Sequence, residues 1–393
     1  MKDLRKTFIY RVVYLKFKYL LSFLFRTKKI VRNKIVFDNF NGKGYGCDPK
    51  YICEELRKRG GYDLVWLAKQ RPESLPKDVR FVKYASIKAY QEMATARVWV
   101  DNVKTSVKPK KRIGQFYIQT WHSSLGLKMN EGDAVETLTK EYIKMAQKDA
   151  AVTDLMYSNS DFRANKYRTK FWYSGPVISC GHPRCTPIIY PQTGIREKVD
   201  AYFGIQGKKI VLYAPTFRKD YRLDWYKFNY EGCMKVLEEK FGGEFVFLLR
   251  LHPNAAILCG DLNYNSRVIQ ASNYDDIQEL LSAADVLITD YSGCMFDFSF
   301  AKKPVFLYTP DLEQYTSVDR KLYFKISELP FPVCECENKL NTAIMQYDHT
   351  SYSSRCDKFF QDIGLHEDGY GAVRIADIIE NVCAGKGDIL DDK

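Results

Sequence analysis

No apolar run near the amino terminus of this 393-residue chain is long enough to cross a bilayer. Apolar residues crowd there, but the longest stretch without a charge is Tyr19–Phe25, against the roughly 20 residues that a spanning helix needs. Lys16 and Lys18 interrupt what would be the apolar part of a signal peptide, and no small-residue cleavage site follows. The eleven cysteines contain no C-x-x-C pair. The two nearest, Cys334 and Cys336, match no zinc or thioredoxin spacing, so the set reads as reduced thiols of a cytosolic protein. Neither G-x-G-x-x-G nor G-x-x-x-x-G-K-[ST] occurs, and no nucleic-acid module or internal repeat is recognisable. With 46% hydrophobic and 27% charged residues, the chain is also no disordered or low-complexity polymer. Two or three globular domains are expected from its length.

Positive charge is abundant, and it sits at one end. Residues 1–34 hold eleven Lys and Arg against one acid, Asp3, which accounts for ten of the twelve net positive charges. Among them lie Phe8, Ile9, Val12, Val13, Phe17, Leu20, Leu21 and Leu24, of which 13, 17, 20, 21 and 24 share one helical face. Residues 1–34 are therefore expected to form a basic amphipathic segment on an anionic membrane surface, with Lys16 snorkelling from the apolar face. Each basic residue near such a surface contributes about 1 kcal/mol. A nucleic-acid partner is not expected, because the rest of the chain is almost neutral.

Beyond residue 34, short apolar runs alternate with helical stretches. Strands are expected at Ile35–Phe40, Asp63–Leu67, Ala96–Val100, Phe116–Thr120, Lys209–Tyr213, Phe245–Leu249, Val286–Thr289 and Pro304–Tyr308. Runs of this kind, buried on both faces and separated by helices, specify parallel doubly wound sheets. The divide between two Rossmann-like halves falls within Pro183–Gly207, giving an amino-terminal domain over 35–190 and a carboxy-terminal one over 191–393.

Open α/β sheets bind ligands where their strands end, and the polar signals lie there. His122, Ser123 and Ser124 follow an apolar strand in Gln119–Lys128. Arg184 lies in the turn Gly181–Arg184, Pro215 and Thr216 in Tyr213–Arg218, and Arg250 and His252 in Leu249–Pro253. In Asp285–Asp297 a strand runs into Ser292–Gly293 and then into a helix carrying Asp297. Ser292 is expected to cap that helix, whose free N–H groups and dipole suit a phosphate without a metal. Arg184 and Arg250 suit charge-assisted phosphate contacts. His122 and His252, two of only five histidines, suit proton transfer near neutral pH. The turn Asn41–Gly46, with Gly42, Gly44 and Gly46, reads as a tight turn rather than a phosphate loop. His182, His349 and His366 read as structural or exposed.

Taken in order, these segments resemble the CDP-glycerol glycerophosphotransferases, the primases and polymerases of teichoic acid and related capsular polymers. The likeness runs from Ile35 to Asp368–Arg374. It implies a GT-B fold, two Rossmann-like domains facing across a cleft, with acceptor bound by the first and donor by the second. It also implies a metal-independent reaction without cofactor, with His122 and His252 as the essential histidines. Residues matching Ser123, Ser124, Arg184, Pro215, Thr216, Arg250, Ser292, Gly293 and Asp297 hold the nucleotide donor in that family. Two positions depart from its pattern: Ser123 stands where glycine is usual, and Gly293 replaces a second serine. The expected reaction moves glycerol phosphate from CDP-glycerol to a polyprenyl-linked acceptor with release of CMP, at the cytoplasmic face of the membrane. A CDP-ribitol donor, or a nucleotide-sugar glycosyl transfer, remains the alternative. Oligomeric state, and primase against polymerase action, are not specified.

Overall fold

The computed structural model describes residues 13, 17, 24–218, 220, 222–251, 262, 264–319 and 321–386. Five parallel strands make the first sheet: β1 (Val31–Asp38), β2 (Asp63–Ala68), β3 (Arg80–Lys83), β4 (Ala96–Asp101) and β5 (Phe116–Gln119), in the order β3-β2-β1-β4-β5. A parallel pair, β6 (Met156–Ser158) and β7 (Val177–Ser179), adjoins β5 through an Ile118–Leu155 bridge. The second sheet is built from β8 (Lys209–Tyr213), β9 (Phe245–Leu249), β10 (Val268–Gln270), β11 (Val286–Thr289), β12 (Val305–Tyr308) and β13 (Val333–Cys334). Its order is β10-β9-β8-β11-β12-β13, again all parallel.

These strands form where the sequence is apolar because both faces are covered. All five residues of β9 and all four of β11 are buried. Each sheet separates two apolar layers, one set centred on Ile35, Phe37, Trp66 and Ile118 and the other on Val36, Trp99 and Tyr117 in the first half. Both sheets reverse their strand order at one point, between β1 and β4 and between β8 and β11. Parallel α/β sheets open a crevice at such reversals, and the loops considered below leave these strands.

Two expected boundaries move. β1 begins at Val31, so the last four residues assigned to the basic leader belong to the first sheet. Lys34 is buried there and its ammonium bonds Glu92 at 2.8 Å. The final helix, Gly371–Ala384, returns to the first half, where Ile375, Ala376, Ile378, Ile379 and Val382 complete the layer beneath Ile35 and Val98. The remainder of the leader lies outside the described residues, apart from Val13, Phe17 and Leu24–Ile30. Val13, Phe17 and Leu24 lie on helix and are 53–65% exposed. Among the described residues no helix is long and apolar enough to cross a membrane, and the ten of the eleven cysteines that lie among them are free.

Candidate active site

His122 follows a residue held in an unusual conformation. Trp121 has φ 56°, a left-handed backbone that costs a bulky side chain free energy and marks a place the surroundings over-determine. Gln119 Oε1 accepts from the Trp121 N–H at 2.9 Å, and the Thr120 hydroxyl donates to the Trp121 carbonyl at 2.7 Å. The imidazole that follows lies against Trp121, with ring centroids 4.3 Å apart, and against Phe40 at 5.4 Å. Its Nδ1 lies 2.9 Å from the Asn102 carbonyl. A carbonyl only accepts, so Nδ1 carries the hydrogen and Nε2 keeps its lone pair. Asn102 is fixed in turn by the β1 loop: its amide donates to Asn39 Oδ1 at 2.7 Å, and its Oδ1 accepts from the Phe40 N–H at 2.8 Å. Burial pushes the His122 pKa down to about 4, and the charges of Arg184 and Arg163 act in the same sense. The ring is therefore neutral at physiological pH, which is the state a proton acceptor needs.

From His122 onward the loop spans both halves. The Ser124 hydroxyl donates to Asp297 Oδ1. Asp297 also holds Arg184, at 3.1 and 3.2 Å, and accepts from the Gln278 amide at 2.9 Å. Ser124, Arg184 and Asp297 are thus one buried cluster, and Asp297 orients its neighbours. At the far end of the loop, Lys128 reaches the Thr216 hydroxyl at 3.3 Å. The Thr216 N–H is held by Asp290 at 2.9 and 3.0 Å, which fixes the Pro215–Thr216 turn at the end of β8. Asp290 and Asp311 share the buried Arg218.

Ser292 does not cap its helix. The cap is Gly293, without any side-chain bond, and the helix Cys294–Ser299 is only six residues long. The turn nevertheless faces the first half: a Cβ at Gly293 would sit 3.8 Å from Gly126 Cα and 3.9 Å from Ser123 Cβ. The two departures from the family pattern therefore meet across the cleft. The side chain absent at 293 has its counterpart at 123. Gly126, at φ 73°, takes a conformation that suits glycine, and a Cβ there would come within 3.0 Å of Ser123 Oγ.

Arg250 caps the loop after β10, donating through Nη1 to the carbonyls of Ala271 and Tyr274 at 3.0 and 2.6 Å. Burial holds its pKa below the usual guanidinium value, against the opposing charges of Asp276 and Asp275. His252, two residues on, lies outside the described residues.

A cavity of about 790 Å³ opens between the halves near this loop. Gly42–Gly44, Lys69 and Arg71 line one side, and Lys198, Tyr202 and Asp275 the other; His122 is not on its wall. The Gly42 turn is a tight turn. A Cβ at Gly42 would come within 2.6 Å of Tyr84, and those at Gly44 and Gly46 would face Asp275 and Asp276. Lys50 closes one end of this cleft, buried at 2.7 Å from Asp276 and 2.6 Å from Glu279. His182, expected to be structural or exposed, is fully buried with Nδ1 2.9 Å from Asp48. His349 and His366 lie in exposed hydrogen bonds to Tyr347 and Asp161.

Sequence reasoning passed over Asn102, Gln278, Lys128 and Arg163. Of these, only Lys128 lay inside a recognised motif.

The model for the family described as CDP-glycerol:poly(glycerophosphate) glycerophosphotransferase matches residues 20–381. The teichoic acid poly(glycerol phosphate) polymerase of Bacillus spizizenii is 29% identical over 358 residues, covering 87% of this chain and 91% of that protein. The teichoic acid glycerol-phosphate transferase of Staphylococcus aureus is 29% identical over 396 residues, covering 96% and 99%. Among solved structures, a histidine-to-asparagine variant of the wall teichoic acid polymerase TagF, soaked with CDPG, superposes with a TM-score of 0.80. It is 28% identical and covers 97% of this chain and 98% of that one.

Proposed function

The chain belongs to the CDP-glycerol:poly(glycerophosphate) glycerophosphotransferase family, and from that premise we propose that it transfers glycerol phosphate from CDP-glycerol to a hydroxyl acceptor in teichoic acid biosynthesis. The observation that carries this reading is the neutral His122, whose Nδ1 is committed to the Asn102 carbonyl and whose Nε2, among the described residues, remains available beside the interdomain loops.

In the proposed step, the acceptor hydroxyl oxygen attacks the phosphorus that bears glycerol. Its proton passes to His122 Nε2 as the new P–O bond forms. The bond to CMP breaks, and CMP leaves with the electron pair. Little covalent chemistry falls to the protein in phosphoryl transfer; positioning and charge stabilisation do most of it. Arg184, held by Asp297, and Arg250, anchored through Nη1 to the Ala271 and Tyr274 carbonyls, are assigned to the diphosphate. Ser123, Ser124, Pro215, Thr216, Ser292 and Gly293 are assigned to the donor pocket, and His252 to the leaving group. No resident metal or cofactor enters this scheme.

The acceptor is proposed to be polyprenyl-linked and the enzyme to work as a peripheral protein at the cytoplasmic membrane face. The exposed apolar stripe Val13, Phe17 and Leu24 within a basic segment supports this. Incubation with CDP-glycerol, CDP-ribitol or UDP-sugars and a lipid acceptor is the test. CMP release from CDP-glycerol is expected; CMP release from CDP-ribitol alone, or a glycosidic product, would replace this reading.

A further inference from the structure

The helix Asp161–Lys170 places one arginine in the interior. Arg163 is 0% exposed, yet among the described residues no carboxylate lies within ion-pair distance of it. Its guanidinium rests over the rings of Tyr167 and Phe171, 4.8 and 5.1 Å from their centroids. Only Nη2 makes a side-chain hydrogen bond, donating to Ser123 Oγ at 3.3 Å. Among the described residues, neither Nε nor Nη1 nor the Trp121 indole N–H has a hydrogen-bond partner of good geometry, and the guanidinium's one other polar neighbour of note is the uncharged Tyr167 hydroxyl.

Folded proteins satisfy buried polar groups, and a buried charge without a counter-charge costs far more than a neutral group. A cation retained there points to an anion that arrives. The route to it is Ser123. Because Oγ accepts from Arg163, the serine O–H is left to donate, and among the described residues it has no acceptor. Ser123 is half-buried at the domain boundary, next to His122 and opposite Gly293. Gly126 presents no side chain between them: a Cβ there would lie 3.8 Å from Arg163 Cζ.

We propose that Arg163 is a positioning residue for a phosphate group in the cleft, turning the Ser123 hydroxyl outward as a donor and backing it with a buried positive charge. The ligand is a phosphate oxygen, supplied either by the donor diphosphate or by a phosphodiester of the acceptor. This rests on the glycerophosphotransferase reading above.

The test uses the full-length protein and the variants R163M, R163K, S123A and R163M/S123A. Calorimetry gives their affinities for CDP-glycerol and for inorganic pyrophosphate, and steady-state assays give KM for a soluble glycerol-phosphate oligomer. Hydrogen bonds involving a charged group set the expected size, about 10- to 100-fold weaker phosphate binding in R163M. R163K recovers part of it, and the double variant is no weaker than R163M, since both substitutions break one relay. Loss confined to CDP-glycerol and pyrophosphate assigns the donor, and a rise confined to the oligomer KM assigns the acceptor. The melting temperature of ligand-free R163M is expected to hold or rise, because an uncompensated buried charge is gone. Unchanged affinities and KM, or a lowered melting temperature with affinities intact, would overturn the proposal in favour of a packing role. Arg163-dependent pyrophosphate binding in a protein that ignores CDP-glycerol would sink the donor reading and leave this one standing.

Discussion

Protonating His122 by pH probes the site without altering a residue. An ordinary imidazole titrates near 6.5, whereas burial, aided by Arg184 and Arg163 and opposed by the Asn102 carbonyl and Asp48, sets this one at about 4. That difference raises the neutral-to-protonated ratio at any given pH by about 300-fold. The free enzyme should therefore keep its kcat/KM down to about pH 5 and lose it with a midpoint near 4. A diphosphate bound at Arg184 offsets one of the two positive charges acting on the ring, so the kcat profile, which reports the complex, should have its acid limb at higher pH. Stability follows the same linkage. The unfolded chain takes the proton first, so this group's contribution is complete above 6.5 and is lost as pH falls toward 4. The assay is CMP release from pH 4 to 8, with a histidine NMR titration assigned by the missing resonance of H122Q. An acid limb of kcat/KM at 6.5, or an imidazole resonance titrating there, would refute the account of the site.

Three further outcomes are expected. H122A should lower kcat about 10²- to 10⁴-fold while calorimetric CDP-glycerol affinity stays near that of the parent; normal turnover would remove His122 from the reaction. K50A leaves the buried Asp276 without its ammonium, while Glu279 keeps Lys198 at 2.7 Å, and should cost about 3 kcal/mol of stability, read as a lower denaturant midpoint. Removing residues 1–23, which stops short of β1 and of the Lys28 carbonyl held by Arg112 at 2.8 Å, should move the protein off anionic vesicles. It should also cut activity on lipid acceptors more than on soluble ones, and unchanged vesicle binding would count against a membrane role for the leader.

What the sequence made legible was whatever has a local signature. Lys209–Tyr213, Phe245–Leu249 and Val286–Thr289 stand out as strands because both their faces are buried. The polar residues just beyond them stand out because parallel strands end at a crevice. The partners were not legible, since they are brought together only by folding. Asp297 meets Ser124 from 173 positions away and Arg184 from 113, and Lys50 meets Asp276 from 226. Arg163 sits in a helix whose mean polarity suggests solvent, and nothing in DFRANKYRTK announces that its third residue points inward. Ser292 differs for a related reason: a Ser-Gly turn before an apolar helix is a common cap signature, but here the short helix starts at Cys294 and the capping position falls on Gly293.

The return of Gly371–Ala384 to the first sheet bears on how the chain is made. During synthesis, strands β1 to β5 emerge well before their partner helix, and one of their apolar layers stays bare until Gly371–Ala384 leaves the ribosome. The second half can close on its own sheet before then. The first sheet is thus completed after the second, and a nascent protein interrupted near residue 370 would carry an open greasy surface for chaperones or proteases to find.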